Sequence, residues 1–250
     1  MELWAVSMFL NVNNIIRKST YIVFFLLISG NVCGFTLKVT GAEVGLLFRP
    51  EFNLSSNYSW DIAAIGSLEL NDQFVFKGGF TAGRIWDITA VNAQGSAEYN
   101  FPFFKHVPLS LRAVYIYNGM PDYEMNIHSI IPFATFGLLY FGVEIKASVG
   151  YLMRFTAFRE SPAVFEGILQ YSIDVNFYNS EYGNIGIGFS NFDDFSARDL
   201  ASYSFGLKSR LRLLSRIFII NELRIDLGEN VARLSSIYAM VYKGGVVFSW

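Results

Sequence analysis

A strict two-residue alternation of apolar and polar side chains runs along much of this chain. Between residues 143 and 155, the odd positions read Val, Ile, Ala, Val, Tyr, Met and Phe, and the even positions read Glu, Lys, Ser, Gly, Leu and Arg. Successive side chains of a β-strand point to opposite faces, so the segment predicts a strand with one apolar and one polar face. Residues 165–177 repeat the pattern. A helix would spread both sets of side chains around its circumference.

Composition indicates the environment of these strands. Hydrophobic residues make up 52% of the chain and charged residues 16%, whereas ordinary soluble domains contain about 25% charged residues. After residue 35, no run approaches the roughly 18 consecutive apolar residues that a transmembrane helix needs. A closed β-barrel is the remaining structure that satisfies every backbone polar group in hydrocarbon. The 19 basic and 21 acidic residues give a net charge of -2, which argues against nucleic acid as a partner.

Segments long enough to cross a bilayer as tilted strands follow one another from residue 38 to the C-terminus. We predict twelve strands, at residues 38–49, 60–70, 73–84, 88–100, 108–118, 127–138, 143–156, 164–178, 183–192, 200–213, 216–227 and 236–250. Short turns alternate with longer connections, which is typical of a single up-and-down antiparallel barrel. The signals of 88–100 and 127–138 are weaker, because the first alternates thinly and the second is apolar on both faces and contains Pro132. Losing or fusing this pair would give ten strands, and long loops would leave eight.

The N-terminal segment has the pattern of a secretory signal peptide. Arg17 and Lys18 precede the apolar stretch 21–28, which is followed by small residues. We therefore expect residues 1–34 to be removed on export and residues 35–250 to form the barrel. Cleavage at this point would remove Cys33, the only cysteine, and leave a mature chain without a thiol. The alternative interpretation makes Cys33 the acylated residue of a lipoprotein.

The C-terminal strand carries a more specific pattern. Gly245 is followed at the third and fifth positions by the aromatic residues Phe248 and Trp250, and Trp250 is the last residue. This ending resembles the β-signal that bacterial outer-membrane β-barrel proteins present to the barrel-assembly machinery. The size of the chain is similar to that of the small-barrel class that includes OmpW-like proteins and small porins. The resemblance implies location in the outer membrane, contact with its lipid, and assembly by that machinery.

Charged residues collect on the polar faces of the predicted strands. Such charges would be costly against lipid and must be in water or in ion pairs. We predict that nine of them line a polar conduit through the barrel: Lys146, Arg154, Glu166, Asp174, Lys208, Arg210, Arg212, Glu222 and Arg224. The basic run 208–212, with Arg224 nearby, would favour small anions. The alternative is an interior filled by salt bridges, as in eight-stranded barrels.

Candidate catalytic residues are few. His128 lies near Ser129, Asp122 and Glu124 at the predicted outer rim, but neighbouring residues of a strand face opposite sides, which separates His128 from Ser129. His106 falls in a predicted periplasmic turn. The chain has no paired cysteines or histidines for zinc, and we expect no metal and no cofactor.

The sequence therefore predicts an outer-membrane β-barrel that passes small solutes by passive diffusion, as a narrow porin does. The first alternative is a barrel that does not conduct and instead presents surface loops for adhesion or membrane integrity. The second is an enzyme, a lipase or protease with its site at the rim of the barrel.

Overall fold

The computed structural model describes residues 38–53, 58–85, 88–101, 107–158, 164–191, 203–227 and 237–250. Strands account for nearly all of them, and they follow one another in chain order: β1 Val39–Asn53, β2 Tyr58–Leu70, β3 Phe74–Ile85, β4 Ile88–Phe101, β5 Leu109–Met120, β6 Met125–Tyr140, β7 Val143–Phe158, β8 Val164–Ser180, β9 Gly183–Ser190, β10 Tyr203–Leu214, β11 Ile217–Leu227 and β12 Ile237–Ser249. Each coincides with a strand predicted from the alternation. The predicted signal peptide, residues 1–34, lies outside the described residues.

The twelve strands form one closed barrel in which each strand is hydrogen-bonded to its neighbours in the chain. The circle closes where β1 pairs antiparallel with β12. At this seam Ala42 and Trp250 exchange two backbone hydrogen bonds, each 3.0 Å long. The predicted fold, a single antiparallel up-and-down barrel of twelve strands, is confirmed.

The two segments with weak sequence signals are complete strands. β4 pairs antiparallel with both β3 and β5 over most of its length. Hydrogen bonding on both sides therefore stabilises a strand whose own alternation of apolar and polar residues is weak. In β6, Pro132 lacks a backbone N–H, and the pairing with β7 is interrupted between Ile130 and Phe133. The pairing with β5 continues past this point, so a single proline does not end the strand.

The two ends of the barrel differ in their connections. Tight turns at 71–73, 141–142, 181–182 and 215–216 lie at one end, which we call the turn end. Asn71 and Asp72 both have positive φ, 55° and 59°, which is the geometry of the two-residue turns that match the twist of a hairpin. The opposite end, the loop end, carries a 3₁₀ turn at Pro121–Tyr123. The sequence predicts one of the longer connections at 119–126; this prediction is wrong, because β5 extends to Met120 and β6 begins at Met125, which leaves only residues 121–124 between them.

The outer surface of the wall is apolar and the inner surface is mixed. Leu46, Phe136 and Leu169 on the outside expose more than half of their surface, whereas Ile116 and Ile131 on the inside expose none. This arrangement follows from the alternation, because each strand sends every second side chain outward. The described residues contain no helix that could cross a membrane.

Candidate functional site

A polar cavity occupies the barrel interior at the turn end of β4 to β8 and extends toward the loop end along β10 and β11; we call this part of the interior the turn half. Its volume is about 630 Å³, and strands β3 to β12 contribute to its wall. The charged side chains that border it are six basic and four acidic: Lys77, Arg112, Lys146, Lys208, Arg224 and Lys243, with Glu98, Glu144, Asp174 and Glu222. A space of this volume accommodates a small organic solute.

Five of the nine residues predicted to line a conduit border this cavity: Lys146, Asp174, Lys208, Glu222 and Arg224. The other four lie elsewhere on the inner wall or at its rim. Arg154 contacts Glu166 at 3.5 Å near the loop end of β7 and β8. Arg212 donates from Nη2 to the carbonyl oxygen of Ser215, 3.0 Å away in the turn. Arg210 of β10 pairs with the carboxylate of Glu43 on β1.

Cations of the cavity wall have carboxylates beside them. Lys208 Nζ is 2.7 Å from Asp174 Oδ1, and Lys243 Nζ is 3.2 Å from Glu222 Oε2. Lys146 Nζ is 2.9 Å from Glu144 Oε1. The basic run predicted at 208–212 is therefore not a bare cationic wall. The lining retains an excess of two basic groups, but the local field is reduced by these pairs.

Gly188 of β9 makes room for one of these pairs, and Gly186 makes room for the neighbouring side chain of Asn176. The Lys208–Asp174 bridge joins β10 to β8 and passes over Gly188 of the strand between them. A Cβ at Gly188 would lie 2.6 Å from Asp174 Oδ1 and 3.0 Å from Lys208 Nζ. A Cβ at Gly186 would lie 2.4 Å from the side chain of Asn176. These glycines serve close side-chain approach, as expected for glycine within a strand.

Arg210 and Glu43 form a bridge across the closing seam. The guanidinium of Arg210 on β10 hydrogen-bonds both carboxylate oxygens of Glu43 on β1, with two strands between them in the barrel order. The same guanidinium lies 4.3 Å from the ring centroid of Phe218. This pair ties the first strand to the third strand beyond the seam, near the turn end.

The interior near the loop end, the loop half, is packed rather than open. Arg49 of β1 pairs with Asp61 of β2, and their side chains expose only 4% and 5% of their surface. Arg224, which borders the cavity at the boundary between the two halves, lies with its Nε 2.8 Å from Asp226 Oδ1 in a second buried pair. An apolar cluster on β5 to β7 fills the neighbouring space with Val114, Ile116, Ile131, Phe133 and Leu152. Inward-facing residues thus form a layer of ion pairs and large apolar side chains.

Some residues that border the cavity are not among the nine predicted lining residues. Lys77 and Arg112 lie on inward faces that the alternation identifies, but the prediction did not include them. Glu98 lies on β4, where the alternation is thin, and it accepts a 2.7 Å hydrogen bond from Ser110 Oγ. Arg112 lies over the ring of Phe133 at 4.8 Å. Only the register of β4 with β5, which places Glu98 opposite Arg112, brings these groups together.

His128 is on the outer surface of the barrel. Its Nδ1 is 2.8 Å from the hydroxyl of Tyr115, and its ring centroid is 5.3 Å from that of Tyr117. Ser129 points inward and is fully buried. The expected separation of His128 from Ser129 is confirmed. His106 lies outside the described residues, among which no group of three or more His, Cys, Asp or Glu side chains could hold a metal ion.

Comparisons with known proteins identify the fold. No protein-family model matches the sequence, and no curated protein matches it. The NanC porin superposes with a TM-score of 0.59 at 7% identity, over 81% of this chain and 98% of that chain. The KdgM porin in complex with disordered oligogalacturonate gives 0.57 at 9% identity, over 83% and 99%. An outer membrane channel from Pseudomonas putida F1 gives 0.55 at 11% identity, over 84% and 96%. The chain therefore has the fold of outer-membrane porins and channels.

Proposed function

We propose that this protein is an outer-membrane channel for the passive diffusion of small solutes. The observation that carries this proposal is the polar cavity of about 630 Å³ enclosed by the barrel wall. Twelve strands lie between the filled eight-stranded barrels and the open porins of about 16 strands, so a narrow conduit suits this size. Solutes would enter the turn half and pass the packed layer of the loop half, which would be the constriction.

The charges of the wall suggest weak ion selectivity. Six basic and four acidic groups border the cavity, so anions would be favoured mildly. Seven of the nine predicted lining residues would contribute to this role, in two ways. Lys146, Asp174, Lys208, Glu222 and Arg224 would contact solutes in the cavity, whereas Arg154 and Glu166 would act at the constriction near the loop end.

Conductance of the purified, refolded protein in a planar bilayer tests the proposal. We expect stepwise current increases on insertion. A Ser172→Cys variant should then lose current after treatment with a water-soluble thiol reagent, because Ser172 borders the cavity. The matched control is Ser209→Cys on the outer face of β10. The current through this variant should not change on treatment with the reagent. Absence of current at any voltage from a folded, inserted protein would overturn the channel proposal.

A second candidate is a barrel that does not conduct. The buried Arg49–Asp61 and Arg224–Asp226 pairs favour it, because they lie in a packed layer across the loop half. In this case the protein would present its loops at the surface and strengthen the membrane. Folded insertion without current would support this function over the first.

Catalysis is not part of the proposed function. The imidazole of His128 contacts two tyrosines on the outside, and Ser129 faces the interior, so the two cannot act as base and nucleophile together. Lipase and protease assays would test this. Activity in the native protein that disappears in His128→Ala would restore the enzyme hypothesis.

The two ends of the chain carry the predicted signals for export and for assembly. We propose that residues 1–34 are removed on export, which the mass of the membrane-extracted protein would test. We also propose that Gly245, Phe248 and Trp250 are read by the assembly machinery. Phe248 and Trp250 are exposed on the outer face, and a Cβ at Gly245 would lie 2.2 Å from the carbonyl oxygen of Leu46 across the seam. Phe248→Ser should reduce the amount of assembled barrel, whereas Val247→Ser on the inner face changes no residue of this motif.

A further inference from the structure

A continuous row of hydroxyl side chains crosses the inner wall of the barrel. Its members are direct partners in the strand register, one on each of six successive strands from β5 to β10. All six border the cavity. We call them the hydroxyl row: Ser110, Thr135, Ser148, Ser172, Ser190 and Ser204.

The hydroxyl row rises along the inner wall as it passes from β5 to β10. Ser110 is the second residue of β5 at the turn end, and Ser204 is the second residue of β10 at the loop end. Neighbouring strands are about 4.8 Å apart and tilt by about 35–45° in such barrels, so each step rises by about 3 Å. The row is therefore a spiral path along the wall and not a ring at one level. Adjacent members of the row are one strand spacing, about 4.8 Å, apart along this path.

The loop-end member of the row lacks a protein partner. Ser204 Oγ is buried, with 2% of the residue exposed, and no hydrogen-bond partner is present for it among the described residues. Buried hydroxyls are normally hydrogen-bonded, so this atom indicates that a polar molecule binds at this position of the cavity wall. Thr135 Oγ1 and Ser148 Oγ, 2.8 Å apart, satisfy each other and keep further capacity to donate or accept.

The surroundings of the row supply the other contacts that a neutral solute rich in hydroxyl groups needs. Paired charges such as Lys146–Glu144 and Lys208–Asp174 offer donors and acceptors side by side with little net charge. Phe133 borders the same cavity, with the guanidinium of Arg112 4.8 Å from its ring centroid.

We propose that the hydroxyl row binds a neutral saccharide or polyol, one ring or carbon segment at each step, and guides it along the wall. This inference rests on the proposed function, since it names the solute class of the same channel. The solute exchanges hydrogen bonds with successive hydroxyls as it advances, so no single contact holds it tightly.

Equilibrium binding tests the inference separately from conduction. Maltotriose is titrated into the purified mature protein in detergent and followed by calorimetry. We expect saturable heat for the native protein and affinity lower by about 3- to 10-fold for each hydroxyl removed in Ser172→Ala and Ser204→Ala. The matched control is Ser209→Ala, on the outer face of the same strand as Ser204. A polyethylene glycol of equal hydrodynamic size, which has few hydroxyls, should give no saturable heat.

The outcomes separate the two proposals. Binding that weakens in the Ser172→Ala/Ser204→Ala double variant and not in Ser209→Ala supports the row. Absence of saturable binding, or equal binding by the native protein and the double variant when both show normal heat-modifiable mobility, overturns it. If the protein conducts current but does not bind maltotriose, the channel proposal stands and saccharide binding by the hydroxyl row is refuted. If it binds maltotriose but conducts no current, saccharide binding by the row stands and the channel proposal is refuted.

Discussion

The two halves of the barrel interior contain the same kinds of ion pair in different surroundings. In the turn half, Lys208 and Asp174 form a pair whose side chains expose 46% and 30% of their surface beside an open cavity. In the loop half, Arg49 and Asp61 form a pair that is almost completely buried. The alternation of the strands places all four residues on the inner face. It does not decide whether the inner face is in water.

Side-chain volume accounts for the difference. Inward positions of the turn half include Gly186, Gly188 and several serines, which leave space unfilled. Inward positions of the loop half include Ile116, Ile131 and Leu152, which pack against each other. Large apolar residues on the polar face of a strand thus mark the part of a small barrel that closes. Four pairs of substitutions test this comparison.

The largest expected effect is the loss of a buried partner in the loop half. Asp61→Asn leaves the charge of Arg49 buried without its carboxylate, which should lower the free energy of unfolding by about 3–5 kcal/mol. Asp174→Asn in the turn half breaks a solvated pair and should cost about 1 kcal/mol or less. Urea unfolding in lipid vesicles, followed by electrophoretic mobility, measures both. Equal losses would show that the two halves do not differ in solvation.

A smaller effect is expected from emptying the apolar cluster. Leu152→Ala should lower stability by about 2–5 kcal/mol, because it leaves a cavity in a packed region. If the loop half is the constriction, the same variant should conduct more current in a planar bilayer. Val149→Ala, on the outer face of the same strand, is the control and should leave conductance unchanged. An unaltered conductance in Leu152→Ala would place the constriction elsewhere.

The loss of stability caused by replacing a glycine with alanine should depend on the space around that glycine. A Cβ at Gly83, opposite Asp61, would lie 2.2 Å from the backbone carbonyl of Trp60, so Gly83→Ala should cost about 1–3 kcal/mol. At Gly206, which borders the cavity, the nearest atom is 3.6 Å away, so Gly206→Ala should be tolerated. Thermal unfolding in detergent compares them. A tolerated Gly83→Ala would mean that the wall shifts easily there.

The smallest expected effect concerns the electrostatic field inside the cavity. Lys77 borders both the main cavity and a smaller pocket of about 50 Å³. Lys77→Gln removes one of six basic groups and should reduce the anion preference measured from reversal potentials in a salt gradient. The change should shrink as salt rises, because the Debye length is about 8 Å at physiological ionic strength. Arg216→Gln in an exposed turn is the control and should shift the potential less.

The sequence predicted most of the fold because side-chain direction in a strand depends only on position parity. All twelve strands were located, including β4 and β6, although β6 extends further at both ends than predicted. Inward positions such as Lys146 and Glu222 were also identified correctly. The ion-pair partners of the inward residues were not predicted. Lys208 meets Asp174 across β9, and Arg210 meets Glu43 across the closing seam.

Sequence alone determined that the chain forms a closed sheet with an apolar exterior, since alternation and the absence of long apolar runs leave no other way to satisfy its backbone in lipid. Only the tertiary structure decided which inward residues meet and which space stays open. Register and closure bring together residues far apart in the chain, such as Arg210 and Glu43, which are 167 positions apart, and these contacts depend on strand pairing. The local pattern of each strand contains no information about its partners across the lumen.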